Sequence, residues 1–389
     1  MFSLRRTKPI DETESDPITP PPLPTRPRRN WAQTRYALKS AGIAFVIGLL
    51  SALILMADEA MVSWFDFTTG DISIAGLCVL MTVFVTPVIS VTGYRLYSTG
   101  STPLSDVLRR RNYWIGRATI TIVLTFGLTM LCLALFYGFE LLFTGVELRM
   151  EWGVTLATMY TTMLGFGTAY YVSSISKDHL LRLIGVVLVL GLVVSFLIVQ
   201  DDEWWTNSIS FLGHADGSNI FFNLSIIAVG LIALTLTQDL LDDLNILSRA
   251  RLFPRWSYRI FKYGLITVSA GIIGVGLFPT TVSTWSDTMH NISSHGMAVV
   301  LILAMFTIGF VAPRVYPLSF IVLSFAFGLV CVFAIYLHFG PALLNFVALE
   351  LVMFAFFGAW IFLFERYTSA FIKQQDPNVI RERLAENPY

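Results

Sequence analysis

With 389 residues, 55% of them hydrophobic and only 13% charged, the chain is too apolar for a soluble globular fold, in which about a quarter of residues carry charge. Its 26 basic and 26 acidic residues cancel, so the information in the charges lies in how they are sorted. The apolar runs leave no stretch large enough for a nucleic-acid reader domain, and Cys78, Cys132 and Cys331 all fall inside those runs, which excludes a disulfide framework and a CxxC metal motif.

The chain opens on MFSLRRTK and passes into DETESDPITPPPLPTRPRR, a sequence without the short apolar core of a cleaved signal peptide. Residues 17–29 interleave proline and arginine with no periodic apolar face, so residues 1–36 read as an extended, solvated tail. Its PxxP spacing suits a partner groove, and its arginines suit anionic lipid; lipid contact is the expected role. Ten apolar runs follow, at 37–56, 72–96, 115–142, 154–172, 180–199, 220–240, 260–279, 289–311, 316–339 and 342–364. A hydrocarbon core of about 30 Å needs roughly 20 such residues per helix. Long continuous runs, rather than alternating ones, predict an all-α polytopic membrane bundle of about ten helices. The short basic loop at Lys177 divides it into a four-helix region, 37–176, and a six-helix domain, 177–366, before a C-terminal tail, 367–389.

Lys and Arg accumulate at the cytoplasmic surface of a membrane. With the N-terminus inside, only Arg149 of the 26 basic residues falls outside, and the outer loops carry acidic residues instead, among them Glu147, Glu151, Glu203 and Asp287. The charge pattern therefore predicts a multi-pass cell-membrane protein with both termini cytoplasmic. The triplet Arg109 to Arg111 and the stretch RARLFPRWSYRIFK, 249–262, face anionic headgroups, with Trp114 and Trp256 as interfacial anchors. In LGFGTAYY, 164–171, Gly165 and Gly167 read as close helix-packing positions.

The six-helix part carries four short motifs: Ser210-Phe-Leu-Gly213, Asn219-Ile-Phe-Phe-Asn223, Gly276-Leu-Phe-Pro279 and, after the last, His290. In order and spacing they resemble an uncharacterised bacterial six-helix membrane domain, the domain-of-unknown-function family numbered 998, distantly similar to the DRAM and Sfk membrane proteins. The resemblance implies a six-helix unit with its signature residues gathered at one membrane face. It implies no reaction.

Under this topology His214, His290, His295 and His338 fall at the outer face. No cofactor is expected, each imidazole sitting at the lipid–water boundary and bonding to a backbone carbonyl or water. The alternative is a zinc ion held by His214, His290 and His295, with Asp216 and Asp287 as carboxylate ligands or orienting groups. The HxxxxH spacing of His290 and His295 sets the two rings about 140° apart on a helix, unlike a zincin pair. Ser293 and Ser294 suggest a hydrolase acting on a lipid ester or amide, but neither GxSxG nor HExxH is present, and a helix N-cap is the simpler role for Ser293 or Asn291. Glu350, about eight residues into the tenth run, is expected near 12 Å depth, where an ionisable group is a functional hypothesis by default. Asn345 is expected one to two turns above it.

The candidate ligand-binding set is thus Ser210, Gly213, His214, Asn223, Pro279, His290, His295 and Glu350. The leading reading is a protein that binds a lipid headgroup or small polar ligand at its outer face, as a transporter or lipid-handling protein. Alternatives are a metal-dependent intramembrane hydrolase and a structural subunit with a membrane-protein partner or a second copy of itself.

Overall fold

A computed structural model describes residues 26–57, 61–63, 73–98, 106–143, 146–175, 177–199, 203–214, 219–280, 282–312 and 315–375. The fold is an all-α bundle of ten long helices: α1 (Arg26–Leu55), α2 (Ile74–Ser98), α3 (Asp106–Leu142), α4 (Met150–Ser173), α5 (Lys177–Ile198), α6 (Asn219–Arg249), α7 (Arg255–Leu277), α8 (Thr284–Val311), α9 (Leu318–Phe339) and α10 (Phe346–Gln374). Every apolar run is a helix, because hydrocarbon offers no partner to a backbone N–H or C=O and an α-helix bonds all of them within one segment. Several helices outrun their apolar cores. α1 reaches back to Arg26, inside the segment expected to be extended; α3 takes in Arg109 to Arg111; α10 continues ten residues past the expected end at 364.

The ends are set by local chemistry. Pro254 and Pro317 precede α7 and α9, Ser283 accepts a bond from the Ser286 amide to cap α8, and Asn345 caps α10 by accepting from the Ala348 amide. Asn345 therefore stands before the helix rather than inside it. Arg251 and Ala342 take positive φ (57° and 55°) to turn the chain from α6 into α7 and from α9 into α10. A two-stranded antiparallel ribbon, β1 (Met61–Ser63) with β2 (Glu147–Arg149), ties the α1–α2 loop to the start of α4. Beside it Arg149, the basic residue left on the acidic side by the charge pattern, pairs with Glu151 at 2.9 Å.

Among the described residues nine helices are long and apolar enough to cross a membrane; α4, rich in threonine and tyrosine, falls short of that measure. It nevertheless runs antiparallel to α1 along its length. A Cβ on Gly165 would lie 2.5 Å from Ala44 Cβ, one on Gly48 would lie 2.8 Å from Thr161 Cβ, and Gly153 faces Met56. Four of its threonines return their hydroxyls to carbonyls one turn back: Thr155 to Glu151, Thr158 to Val154, Thr161 to Ala157 and Thr162 to Thr158. Sheltered between α1 and α2, with these four hydroxyls spent on its own backbone, α4 needs less apolar surface than its neighbours.

α3 joins the first four helices to the rest. Ile120, Val123 and Leu124 share one core with Leu183 and Val187 of α5 and Ala228 and Ile232 of α6. A second core, under Trp360 and Phe320, unites α6 to α10. The outer surface is apolar, with Phe310 80% and Ile54 73% exposed, as lipid contact requires. Two sets of exposed tryptophans mark its limits: Trp31, Trp114 and Trp256 near the starts of α1, α3 and α7, and Trp152, Trp205 and Trp285 near the opposite end.

The α1–α4 contact yields a contrast between two glycines. Gly165→Ala forces a methyl into Ala44 and the Ser40 carbonyl and is expected to lower stability by about 1–3 kcal/mol. A Cβ on Gly167 meets nothing within 4 Å, so Gly167→Ala is expected to be neutral or to stabilise by up to about 1 kcal/mol. Thermal unfolding of the two variants in detergent checks the pair.

Candidate functional site

The candidate site lies at the end of the bundle where α5, α7 and α9 finish and α6, α8 and α10 begin. Two short 3-10 segments, Trp204–Thr206 and Ile209–Gly213, cross this end. The second is anchored at three places. Ser208 caps it by accepting from the Phe211 amide at 3.0 Å. Glu350 of α10 accepts from the Ile209 amide at 2.5 Å and from the Ser210 hydroxyl at 3.3 Å. Asn223 of α6 donates to the Gly213 carbonyl at 3.0 Å. Beneath the polar contacts Ile209, Leu212, Phe222, Ile226, Val275 and Val347 form a small core drawn from α6, α7, α10 and the segment itself.

Two glycines permit this closeness. A Cβ on Gly213 would lie 2.5 Å from Asn223 Oδ1, and one on Gly276 would lie 2.6 Å from the Asn223 carbonyl. The motifs at 210–213, 219–223 and 276–279 therefore meet around Asn223, a buried polar side chain whose amide is committed to Gly213.

Glu350 is shallower than its sequence position implies. Pro341 to Asn345 form a loop, so Glu350 is the fifth residue of α10, only about 6 Å from the helix start instead of 12 Å. At that depth a carboxylate reaches backbone amides that lie outside the helices.

The histidines do not converge. His290 is the seventh residue of α8, buried, with Nδ1 2.9 Å from the Phe278 carbonyl, which it bonds as an N–H donor. His295 is exposed, and the 500° turn between the two places them on different faces. His338, in the last turn of α9, holds the Leu344 carbonyl at 2.9 Å. His214 stands edge-on to Phe211. Among the described residues no three His, Cys, Asp or Glu side chains gather as a metal-holding group; Asp216 lies outside those residues. The expected cap at Ser293 or Asn291 is corrected by Ser283, since α8 begins at Thr284, before both. Ser293 sits mid-helix and packs on Gly274. Pro279 contributes its carbonyl, which accepts from Ser286 at 2.6 Å.

Glu365 is a buried carboxylate that the sequence reading placed beyond the last span. It accepts from Ser369 at 2.6 Å, and its other oxygen has no partner among the described residues. The signal that would have found it is the persistence of apolar spacing through Phe364, Thr368 and Ile372.

No family model, curated protein or solved structure matches the chain. Its class follows from its own helices: the chain is a multi-pass, all-α integral membrane protein.

Removing the Glu350 carboxylate with Glu350→Ala is expected to speed amide exchange at 209–213 while leaving the middle of α10 protected, as hydrogen exchange with mass spectrometry would show. His290→Ala, which orphans the Phe278 carbonyl, is expected to cost about 1–3 kcal/mol, and His295→Ala close to nothing; melting temperatures of the two variants distinguish them.

Proposed function

We propose that this protein binds a lipid headgroup or small polar ligand at the end of the bundle capped by residues 203–214, and that it handles lipid or carries a solute there. The observation that carries the reading is the Glu350 carboxylate, which reaches from a membrane helix to hold the Ile209–Gly213 segment through that segment's own donors. A ligand presenting ammonium or hydroxyl donors competes for the same oxygens and frees the segment. A phosphate or other anion does not, because it meets the carboxylate's charge. The ligand class is therefore a donor-rich group such as an ethanolamine or polyol headgroup.

The sorting of Lys and Arg supports placing this end outside the cell membrane and both termini in the cytoplasm. The basic stretch at 249–262 then lies against anionic headgroups of the inner leaflet. In intact cells a membrane-impermeant thiol reagent is expected to label Arg149→Cys and to spare Gln375→Cys, in a background lacking Cys78, Cys132 and Cys331. The reverse pattern would invert the protein and place the Glu350 end inside.

The ligand reading is checked by native mass spectrometry of the protein released from mixed bilayers of phosphatidylethanolamine and phosphatidylcholine, whose headgroup has no hydrogen-bond donor. Preferential retention of phosphatidylethanolamine is expected, weakened about tenfold or more in Glu350→Gln, in line with a hydrogen bond to a charged group. Equal retention of both lipids by both proteins removes Glu350 from ligand recognition.

A further inference from the structure

The first four helices contain a polar seam that the outer site does not use. On α2, Cys78, Thr82, Thr86 and Ser90 recur every four residues and so share one face, and all four are buried. On α3, Thr121, Thr125, Thr129 and Cys132 follow one another at intervals of four, four and three residues and also share one face, with Cys132 buried and the three threonines half-buried. That face of α3 is turned to α2: Cys132 belongs to the core that holds Cys78 and Met81, and Leu128 to the one that holds Val85 and Ile89, whereas Ile120 and Val123 face α5 and α6.

Two contacts fix the antiparallel register. Tyr94 lies against Gly116, 2.6 Å from the site of a Cβ, and Cys132 lies within hydrogen-bond reach of Thr82 and Tyr160 and interacts with Cys78. Thr82 is then level with Thr129, Thr86 with Thr125, and Ser90 with Thr121. From α4, Gly165 meets Ile89 and Val172 meets Gly93, which brings Thr168 to the level of Ser90.

The two halves of the seam differ. At the Cys78 end the hydroxyls are satisfied: Thr82 donates to the Cys78 carbonyl at 2.8 Å and its oxygen lies 2.6 Å from the Tyr160 hydroxyl. At the other end four enclosed hydroxyls, on Thr86, Ser90, Thr121 and Thr168, have no hydrogen-bond partner among the described residues. Thr86 and Ser90 are 0% exposed and Thr168 is 4% exposed. Isolated hydroxyls in an apolar interior are disfavoured, and these four, with Ser90, Thr121 and Thr168 at one level on three helices and Thr86 one turn deeper, supply the two to four polar contacts that a buried water requires. The seam groups are neutral hydroxyls and thiols, which suits water rather than an ion.

We propose that water enters the bundle from the end at which α2 stops and α3 begins and forms a blind file along the α2–α3–α4 seam, ending at the Thr82–Tyr160 pair. From Ser90 to Thr82 the file covers about 12 Å of helix. It brings aqueous contact deep into the four-helix region from the end opposite the Glu350 site, so the two polar features of the molecule open toward opposite membrane faces.

The test is X-ray hydroxyl-radical footprinting of the full chain in lipid nanodiscs, in which radiolysis of water in place oxidises the side chains beside it. Ile89, next to Ser90, and Leu164, one turn before Thr168, share one buried core and are expected to be oxidised severalfold faster than Leu301 and Ile308 of the apolar core under Trp360. Cys78, one turn beyond the Thr82–Tyr160 pair, is expected to stay unmodified despite its intrinsic reactivity. Oxidation of Ile89 and Leu164 no faster than that of Leu301 overturns the proposal, and oxidation of Cys78 alongside them shows that the file is not blind. The double variant Thr86→Val, Ser90→Ala gives a second readout. A hydrated seam predicts a lower melting temperature and slower oxidation at Ile89, because water loses its anchors. A dry seam predicts a higher melting temperature, because two unpartnered hydroxyls are removed.

Discussion

A polar group placed in hydrocarbon has to find its partner within the protein, and this requirement shapes each part of the molecule. It makes every long apolar run a helix, since only the helix satisfies its own backbone. It also explains why α4 spans the bundle with so many hydroxyls: four of them bond back to carbonyls one turn earlier, and α1 and α2 cover the helix where glycine and alanine let backbones approach. The same requirement governs Ser257, which donates to the Val311 carbonyl at the end of α8, and Trp360, whose indole N–H meets Ser324. Ser257 and Trp360 are thus cross-links between helices.

At the Glu350 end the requirement acts on irregular backbone. The 209–213 segment exposes amides that no helix satisfies, and it is held by a carboxylate from α10, a serine from its own start and an amide from α6. Each anchor comes from a different part of the chain, so the segment's position reports the relative placement of α6 and α10. This coupling makes the end suited to ligand-dependent change: a group that takes over the Glu350 oxygens alters a contact on which two helices depend.

Much of this was legible in the sequence. The length and continuity of ten apolar runs were enough to place ten helices, and the motifs at Ser210, Asn223 and Gly276 pointed to residues that do meet. Gly165 was readable as a packing position because it lies in a run of small and hydroxylated residues; Gly167, two residues on, faces open space, and a glycine's neighbours are invisible without its helix's rotation. The depth of Glu350 was misjudged because Pro341 to Asn345 is apolar enough to pass as helix, while its geometry is a turn through Ala342 at positive φ. The histidines illustrate a limit of spacing. Their positions along the chain suggested a cluster, yet the helix turns His290 inward to Phe278 and His295 outward.

By itself the sequence determined the membrane class, the number of long helices and the asymmetry of charge between the two ends, because these depend on composition summed over tens of residues and on the thickness of a bilayer. The tertiary structure decided which polar groups find one another: Glu350 with Ile209, Asn223 with Gly213, Thr82 with Tyr160. Those pairings join residues 10 to 141 positions apart and turn on helix rotation and register at the scale of a single hydrogen bond, which hydropathy does not encode.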